Sequence, residues 1–565
     1  MRRPAQLRRP AATEMPTPKT AKPASFAAPI GGWIKNQDLS KPGARMPDGS
    51  VVSGAFMLEN YFPTATGARV RRGSDPFAQI GDGTADVVSM LAYANGNNNK
   101  LFAASSSALY DITSPAAAMN VLLADDLGNI LVDDLGDQLI GLSSVGAPIV
   151  SGLTGGAWIG EQFATPGGVF LRCVNGTDTP LVYDGTSFAT TPAITGTGLT
   201  ASNLSYVWVH QRRMFFVEKN TLNAWYLPAD SIGGTAVQLP LGGVFTRGGS
   251  LLFGSAWSLE TGAGLSEQCA FFSTEGEVAI YQGTDPSTAS TWSKVGVYRI
   301  GKPRGAKSHI RAGGDIVVAT DIGFVPLSQA VQRDYSAISA SAVSFKIETA
   351  WNDAVAERSA SSWACEIWPT KQMVLVAPPT PAGEQSQIFA SNARTGAWGL
   401  FTGWNATCLQ LFGDRMFFGS QNGLIVECEV TGFDQGLPYT ASWVPLFDYL
   451  KASASLKTSL LMRGVLKAPT EIMPQLSLQA DYTLSLPPAP DASPISASNV
   501  WGTALWGTSV WAQEAVLSVF QPWQSVVGSG YAIAPGWQIT SGNIVPPDHE
   551  LVRIDVTYDM GDIVS

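Results

Sequence analysis

Along the chain, apolar positions gather into short runs that come in pairs: an aromatic or aliphatic strand, a polar or glycine turn, then a second apolar strand. The pair appears as LFAASSSALYDIT from Leu101, VFLRCVNGTDTPLVYDG from Val169 and MFFVEKNTLNAWYL from Met214. It returns as AFFSTEGEVAIYQG from Ala270, DIVVATDIGFVPLS from Asp315, MVLVAPPTPAGEQSQIFAS from Met373 and MFFGSQNGLIVECE from Met416. Successive starts lie 68, 45, 56, 45, 58 and 43 residues apart. A period of about 40–50 residues predicts a β-propeller, because one twisted sheet cannot bury its own faces and a ring of sheets buries them mutually. Ring closure also leaves few exposed strand edges.

The expected fold is all-β: a propeller of six to eight blades over residues 76–435, with an additional β-rich platform built from the N- and C-terminal segments. The long first interval contains DDLGNILVDDLGDQLI, two copies of a unit starting at Asp125 and Asp133, and is expected to be a hairpin inserted at 121–141. Its acids lack the closely spaced ligands and terminal Glu of a calcium loop, which favours a solvated turn. Trp292 and Trp398 each follow a Thr or Ser closely, and are expected to pack between neighbouring blades. The sialidase Asp-box spacing is missing. Ile347, Trp351 and Val355 at i, i+4 and i+8 predict one helix, about Ser341–Arg358.

The flanks break the rhythm. Residues 26–75 form a strap with too few alternating apolar residues for a strand ladder and too many Gly and Pro for a helix. Residues 436–565 read as a second β domain, with strands in YTASWVPLFDYL, KTSLLMRGVLKAP and the closing HELVRIDVTYDMG. Between them, after the Pro-rich LPPAPDASP, Trp501, Trp506 and Trp511 recur every five residues, which fits neither one strand face nor one helix stripe. Such Trp residues need cover, and packing between subunits or domains is the first reading.

Composition sharpens the picture. The chain has 565 residues, 45% of them hydrophobic and only 14% charged, against about 25% charged in an ordinary domain. Much of its surface is therefore expected to be shared with neighbours. Residues 1–25 hold six basic groups and one acid, a charge of +5, and read as a disordered basic tail; the whole chain is −10, so the rest carries −15. So acidic a body repels nucleic acid rather than gripping it. No secretory signal and no run of some 18 apolar residues is expected to direct the chain into or across a membrane. Cys173, Cys269, Cys365, Cys408 and Cys428 lie far apart in apolar runs and read as reduced core thiols. His210, His309 and His549 are scattered, so no metal site is expected. No catalytic, cofactor-binding or metal residue is assigned. The motifs of nucleophile elbow, phosphate loop and zinc protease are absent.

The opening GGW…LENYFP…G…RVRRG, with Asn60, Tyr61, Phe62, Gly67, Arg69, Arg71 and Arg72, resembles the start of tail nozzle proteins of short-tailed bacteriophages, the tail tubular protein B group. The region Ser273–Ser328, the Trp-Gly segment and the final VTYDMG strand resemble the same family, and the similarity touches most of residues 28–565. The DDLG insertion and the long basic tail depart from it. The resemblance implies a structural virion protein without enzymatic activity or cofactor: a homohexameric ring below the portal-adaptor ring. It implies contact with tail fibres or tail-tip proteins and transient, non-specific passage of double-stranded DNA. It also implies residence in the virion tail after folding in the host bacterial cytoplasm. The alternative is a receptor-binding tail propeller that recognises a host-surface glycan. The basic run Lys302, Arg304, Lys307, His309 and Arg311 is expected to be a solvated blade edge, with phosphate contact the lesser reading.

Overall fold

The structure, a computed structural model, describes residues 21–41, 44–46, 49–50, 52–81, 83–114, 121–122, 140–141, 146–260, 265–358, 363–468, 472, 474–492, 518–543, 546 and 548–563. Among these, seven antiparallel blades close into a ring. The innermost strands are, in order, Ser89–Tyr93, Ile159–Thr165, Leu204–His210, Leu251–Glu260, His309–Ala312, Ala364–Trp368 and Cys408–Phe412. Each of the seven repeated hairpins supplies the second and third strands of one blade, as in Arg213–Glu218 with Asn223–Tyr226 of the third. These middle strands are apolar on both faces because a neighbouring blade covers each: Met373–Ala377 and Ile388–Asn392 are buried at every position. The fifth blade has three strands, His309–Ala312, Asp315–Thr320 and Gly323–Pro326.

The ring closes by a strand borrowed from upstream. Gly73–Gln79 pairs antiparallel with Leu424–Thr431 and becomes the outer strand of the seventh blade. The sixth blade does not end at its fourth strand. Trp398–Phe401 pairs in parallel with Ala55–Glu59, and the sheet continues through Tyr439–Pro445 and Ile533–Ser541 to Gln475–Ala480, eight strands in all. A second, seven-stranded sheet faces this extension, built on Ser455–Ala468 and Glu550–Ile563 with Lys22–Ala27, Tyr61–Pro63 and Ala68–Val70 from the N-terminal side. The Trp537 ring lies so close to Gly464 of the facing sheet that a Cβ there would stand 2.1 Å from it. One core runs from the fifth and sixth blades (Phe324, Phe389, Trp398) into this platform (Trp443, Trp537, Ile554). Propeller and platform therefore share both a sheet and a core.

Several expectations change. The strap is not strandless: Ala55–Glu59, Tyr61–Pro63 and Ala68–Val70 are strands. Tyr61–Pro63 and Ala68–Val70 pair locally with each other, whereas Ala55–Glu59 pairs with strands more than 300 residues away, so no local alternation announces it. Ordered chain also begins inside the expected tail, since Lys22–Ala27 pairs along Glu550–Ile563. The helix is shorter than its period suggests, with a 3-10 stretch at Val343–Ile347 and α-helix only at Glu348–Glu357. Tertiary hydrogen bonds override the helical pattern there: Ser344 accepts from the Phe324 amide at 2.9 Å and the Lys346 carbonyl from the Lys35 amide at 2.8 Å. The inserted segment starts and ends as a two-stranded pair, Val121–Leu122 with Ile140–Gly141, between the third and fourth strands of the first blade. The DDLG repeats and Trp501, Trp506 and Trp511 lie outside the described residues.

Candidate functional site

The motif residues of the strap converge on one buried junction between propeller and platform. Arg71 is fully buried. Its Nε donates to Asn60 Oδ1 at 2.8 Å, Nη1 to Asp434 Oδ1 at 2.9 Å and Nη2 to the Thr402 carbonyl at 2.7 Å, with a second bond from Nη2 to Asp434 Oδ2. The guanidinium lies 4.1 Å from the Tyr439 ring centre and 4.9 Å from that of Trp404, whose Nε1 also donates to Asp434. A bidentate, stacked Arg is the form in which a buried cation is satisfied. Asn60 sits at φ 57°, a left-handed conformation that Asn tolerates better than most residues. That turn lets its side chain bond Thr402 Oγ1 at 2.9 Å and the Thr440 carbonyl at 2.7 Å.

The neighbouring motif residues extend the junction. Tyr61 OH bonds His549 Nε2 at 2.8 Å and accepts from Trp537 Nε1 at 2.9 Å. Arg69 pairs with Glu429 at 2.8 Å, and Arg72 bonds Asp548 at 3.1 Å. Phe62 is buried against Phe401. At Gly67 a Cβ would stand 2.2 Å from the Leu551 carbonyl, so only glycine fits. Trp33, Tyr61 and Phe62 are buried within their own chain. The junction thus ties the strap, the sixth blade and the C-terminal strands into one body.

The second concentration of chemistry is the propeller channel, a cavity of about 210 Å³ lined by innermost-strand residues of every blade except the fourth. Its polar side chains are Tyr206, Lys307, His309, Glu366 and Gln410; Met90, Leu91 and Leu409 border it too, but are buried in the cores between blades. Burial pushes the Glu366 carboxyl up to about 7, against the pull of Lys307. Burial does the same to Glu161, also to about 7, against Arg311. Burial drives Lys307 down, and burial followed by repulsion from Arg311 takes His309 to about 4. Tyr206 OH and His309 Nε2 lie 3.3 Å apart.

The basic run is a solvated edge only in part: Lys302 and Arg311 are exposed, and the other three are not. Lys307 and His309 lie in the channel. Arg304 is buried, donating to the Val355 and Arg358 carbonyls, while Lys302 pairs with Glu275 at 2.7 Å. Glu161 and Glu366 drew no notice in the sequence. Their only signal is an acid inside an apolar strand, in IGEQFAT and ACEIW. All five cysteines are free and buried, and burial raises the Cys173 thiol to about 12, which keeps it protonated and unreactive. Trp292 stacks on Phe215 of the preceding blade at 6.0 Å, and Trp398 donates to the Val343 carbonyl at 2.9 Å. Among the described residues no group of three or more His, Cys, Asp or Glu is placed to hold a metal, and no helix is long and apolar enough to cross a membrane.

Blade register and ring order define an all-β protein, a seven-bladed propeller fused to a two-sheet platform. No family model matches the chain, and no curated protein does. Among solved structures, it is similar to a computationally designed protein, Ika8, at 10% identity over 63% of this chain and 100% of that one, with a TM-score of 0.29. It is similar to YCF48 from Cyanidioschyzon merolae at 8% identity over 63% and 98%, TM-score 0.26. A xyloglucanase from Xanthomonas campestris gives 14% identity over 65% and 53%, TM-score 0.30. Scores this low leave the fold to rest on the strand pairing described above.

Proposed function

We propose that the chain is a structural subunit of a short-tailed phage tail, a nozzle protein that assembles as a ring, of six copies in the family it resembles, below a portal-adaptor. In this reading the ring surrounds and retains genome DNA and conducts it at ejection, and the protein performs no catalysis. The observation that carries the reading is the junction: the ordered motif Asn60–Arg72, on which the family resemblance rests, is the residue set that locks the propeller to the platform.

Two further features support it. The two most exposed large apolar residues, Val527 at 85% and Leu437 at 69%, lie outside the propeller blades. Leu460 and Leu461 are also exposed there, and Leu461 pairs with Ser525 of the strand that bears Val527. Uncharged surface of this kind suits contact with an identical neighbour. The acidic body suits a DNA conduit, because a wall that displaces no counterions from phosphate holds no strand.

The test is imaging of the chain co-expressed with its neighbouring portal and adaptor genes. A ring with an axial opening, seated on the adaptor, is the expected result. A free trimer that binds host glycan would replace this reading with receptor recognition.

A further inference from the structure

Three turns meet at one end of the platform. One leads from Asp448 into Ser455–Ala468, one leaves Gln475–Ala480 at Asp481, and one joins Gln524–Gly530 to Ile533–Ser541. They are bonded into a frame. Asp481 Oδ1 accepts from the Tyr531 and Ala532 amides at 2.9 Å, and Asp448 exchanges backbone bonds with Ile533 at 3.0 and 3.1 Å. The buried Lys457 ammonium donates to the Ala452 and Tyr531 carbonyls. The Phe447 ring lies 4.9 Å from that of Tyr482. On this rigid frame three large side chains face solvent: Tyr482 is 37% exposed, Tyr531 38% and Leu484 40%. Two of the turns also place bulky residues in the left-handed region. Leu450 and Lys451 stand at φ 48° and 64°, and Asp481 and Tyr482 at 50° and 63°. Gly or Asn fills such positions at less cost, so the turn itself gives no reason for a Tyr at 482.

The described chain starts at this same end. Lys22 pairs with Tyr558, Ser455 with Ile563, and Lys457 with both Met560 and Gly530. Lys22 is therefore three strands from Gly530, about 15 Å at the usual strand spacing. Before it runs MRRPAQLRRPAATEMPTPKT, with five basic groups, one acid, four prolines and two Arg-Arg-Pro steps. At ~3.1 Å per residue of extended proline-type chain, Pro10 can lie as far as about 37 Å from Lys22, more than enough to reach across the turns. The strand ends and turns place Asp448, Asp481, Asp559 and Asp562 here against Lys451 and Lys457, so acids outnumber bases where a basic segment begins.

We propose that the basic tail, residues 1–20, folds back onto its own platform and seats its Arg-Arg-Pro steps on Tyr482, Tyr531 and Leu484. The chemistry matches on both sides. A proline-rich chain needs no backbone partner and docks its rings on exposed aromatic faces. An Arg guanidinium stacks on a Tyr ring and pairs with a nearby carboxylate. An apolar strand from a second copy would use the tyrosines and leave the acids idle, and DNA would be repelled by those acids. The contact is independent of the ring, and its failure leaves the nozzle reading untouched.

The test uses the full chain with Ala5→Cys as the site of one fluorophore, since the five native thiols are buried. Tail anisotropy is expected to fall in Tyr482→Ser/Tyr531→Ser, and to be unchanged in Val295→Ser, which alters an exposed apolar residue of the fourth blade. Excess unlabelled peptide of residues 1–20 is expected to displace the tail and lower the anisotropy of the unaltered chain. That competition decides the matter if the double variant does not fold. Dilution and a 15-base-pair DNA duplex are expected to change nothing. Anisotropy unmoved by the double substitution or by excess peptide would overturn the proposal. So would a fall on dilution, which would make the occupant a second copy's tail, or a rise with the duplex, which would make phosphate the tail's partner.

Discussion

Arg71 shows how a single side chain holds two architectures together. Its guanidinium bonds the strap at Asn60, the sixth blade at Thr402 and the link to the platform at Asp434. Removing it leaves Asp434 as a buried, uncompensated charge, so Arg71→Ala is expected to destabilise by roughly 3–5 kcal/mol in denaturant titrations. Arg71→Lys is expected to recover little, because an ammonium cannot reproduce the fork and the stacking on Tyr439. The channel carboxyls give a second residue-scale prediction. Glu366 has its folded pKa raised from 4.5 to about 7, so the unfolded chain gives up this proton first and stability falls as pH rises from about 4.5 to about 7. His309, depressed from 6.5 to about 4, acts in the opposite sense and loses stability as pH falls through that range. Glu161, also raised to about 7, acts in the same sense as Glu366, and the wild-type profile mixes all three. Glu366→Gln removes one contribution, and its stability relative to wild type is expected to grow across pH 4.5–7 by up to about 3 kcal/mol. A pH-independent difference would show that Glu366 titrates normally.

At the scale of elements, the blade hairpins were legible and the strap was not, for one physical reason. Each hairpin's partners lie within a few tens of residues and both faces are buried, so apolar runs and turn residues announce it locally. Ala55–Glu59 pairs with Trp398–Phe401 and Tyr439–Pro445, and nothing local encodes partners so distant. The innermost strands were also obscure: polar residues such as Glu161, Gln162, Glu366 and Gln410 interrupt their short apolar runs and mask their strand character. Nor could the sequence reveal that Lys307, Tyr206 and Glu366 line one cavity, since ring closure alone brings three blades to one axis. Close packing sets its own limits here. Gly254 lies under Trp208 of the preceding blade, where a Cβ would come within 2.4 Å of the indole. Gly254→Ala is therefore expected to destabilise by about 1–3 kcal/mol through overpacking, seen as a lowered melting temperature. The insertion is the converse case. Deleting Asp125–Ile140 removes chain between the third and fourth strands of the first blade, both of which remain. The melting temperature is expected to stay within about a degree of wild type, a surface-scale change. Global unfolding by that deletion would mean the insertion is part of a blade.

For the whole molecule, the decisive feature is that the N-terminal chain serves two purposes in sequence. Lys22–Ala27, Ala55–Glu59, Tyr61–Pro63 and Ala68–Val70 are platform strands, whereas Gly73–Gln79 closes the seventh blade. A truncation at residue 75 would cut the closing strand and open the ring of blades, confusing assembly with folding. A truncation that starts the chain at Arg72 separates them. It keeps the outer strand of the seventh blade but removes Lys22–Ala27, Ala55–Glu59, Tyr61–Pro63 and Ala68–Val70, and with Arg71 the junction itself. The propeller, with its own large aromatic core in the third, fourth and fifth blades, is expected to persist, and the Trp208, Phe215 and Trp292 stack should still give near-ultraviolet dichroism. The platform loses strands from both of its sheets, so incorporation into tails is expected to fall to background when particles are assembled with truncated protein and analysed by mass spectrometry. Truncated chain at normal occupancy would mean that the platform is not the assembling surface, and the nozzle reading would then lose the observation on which it stands.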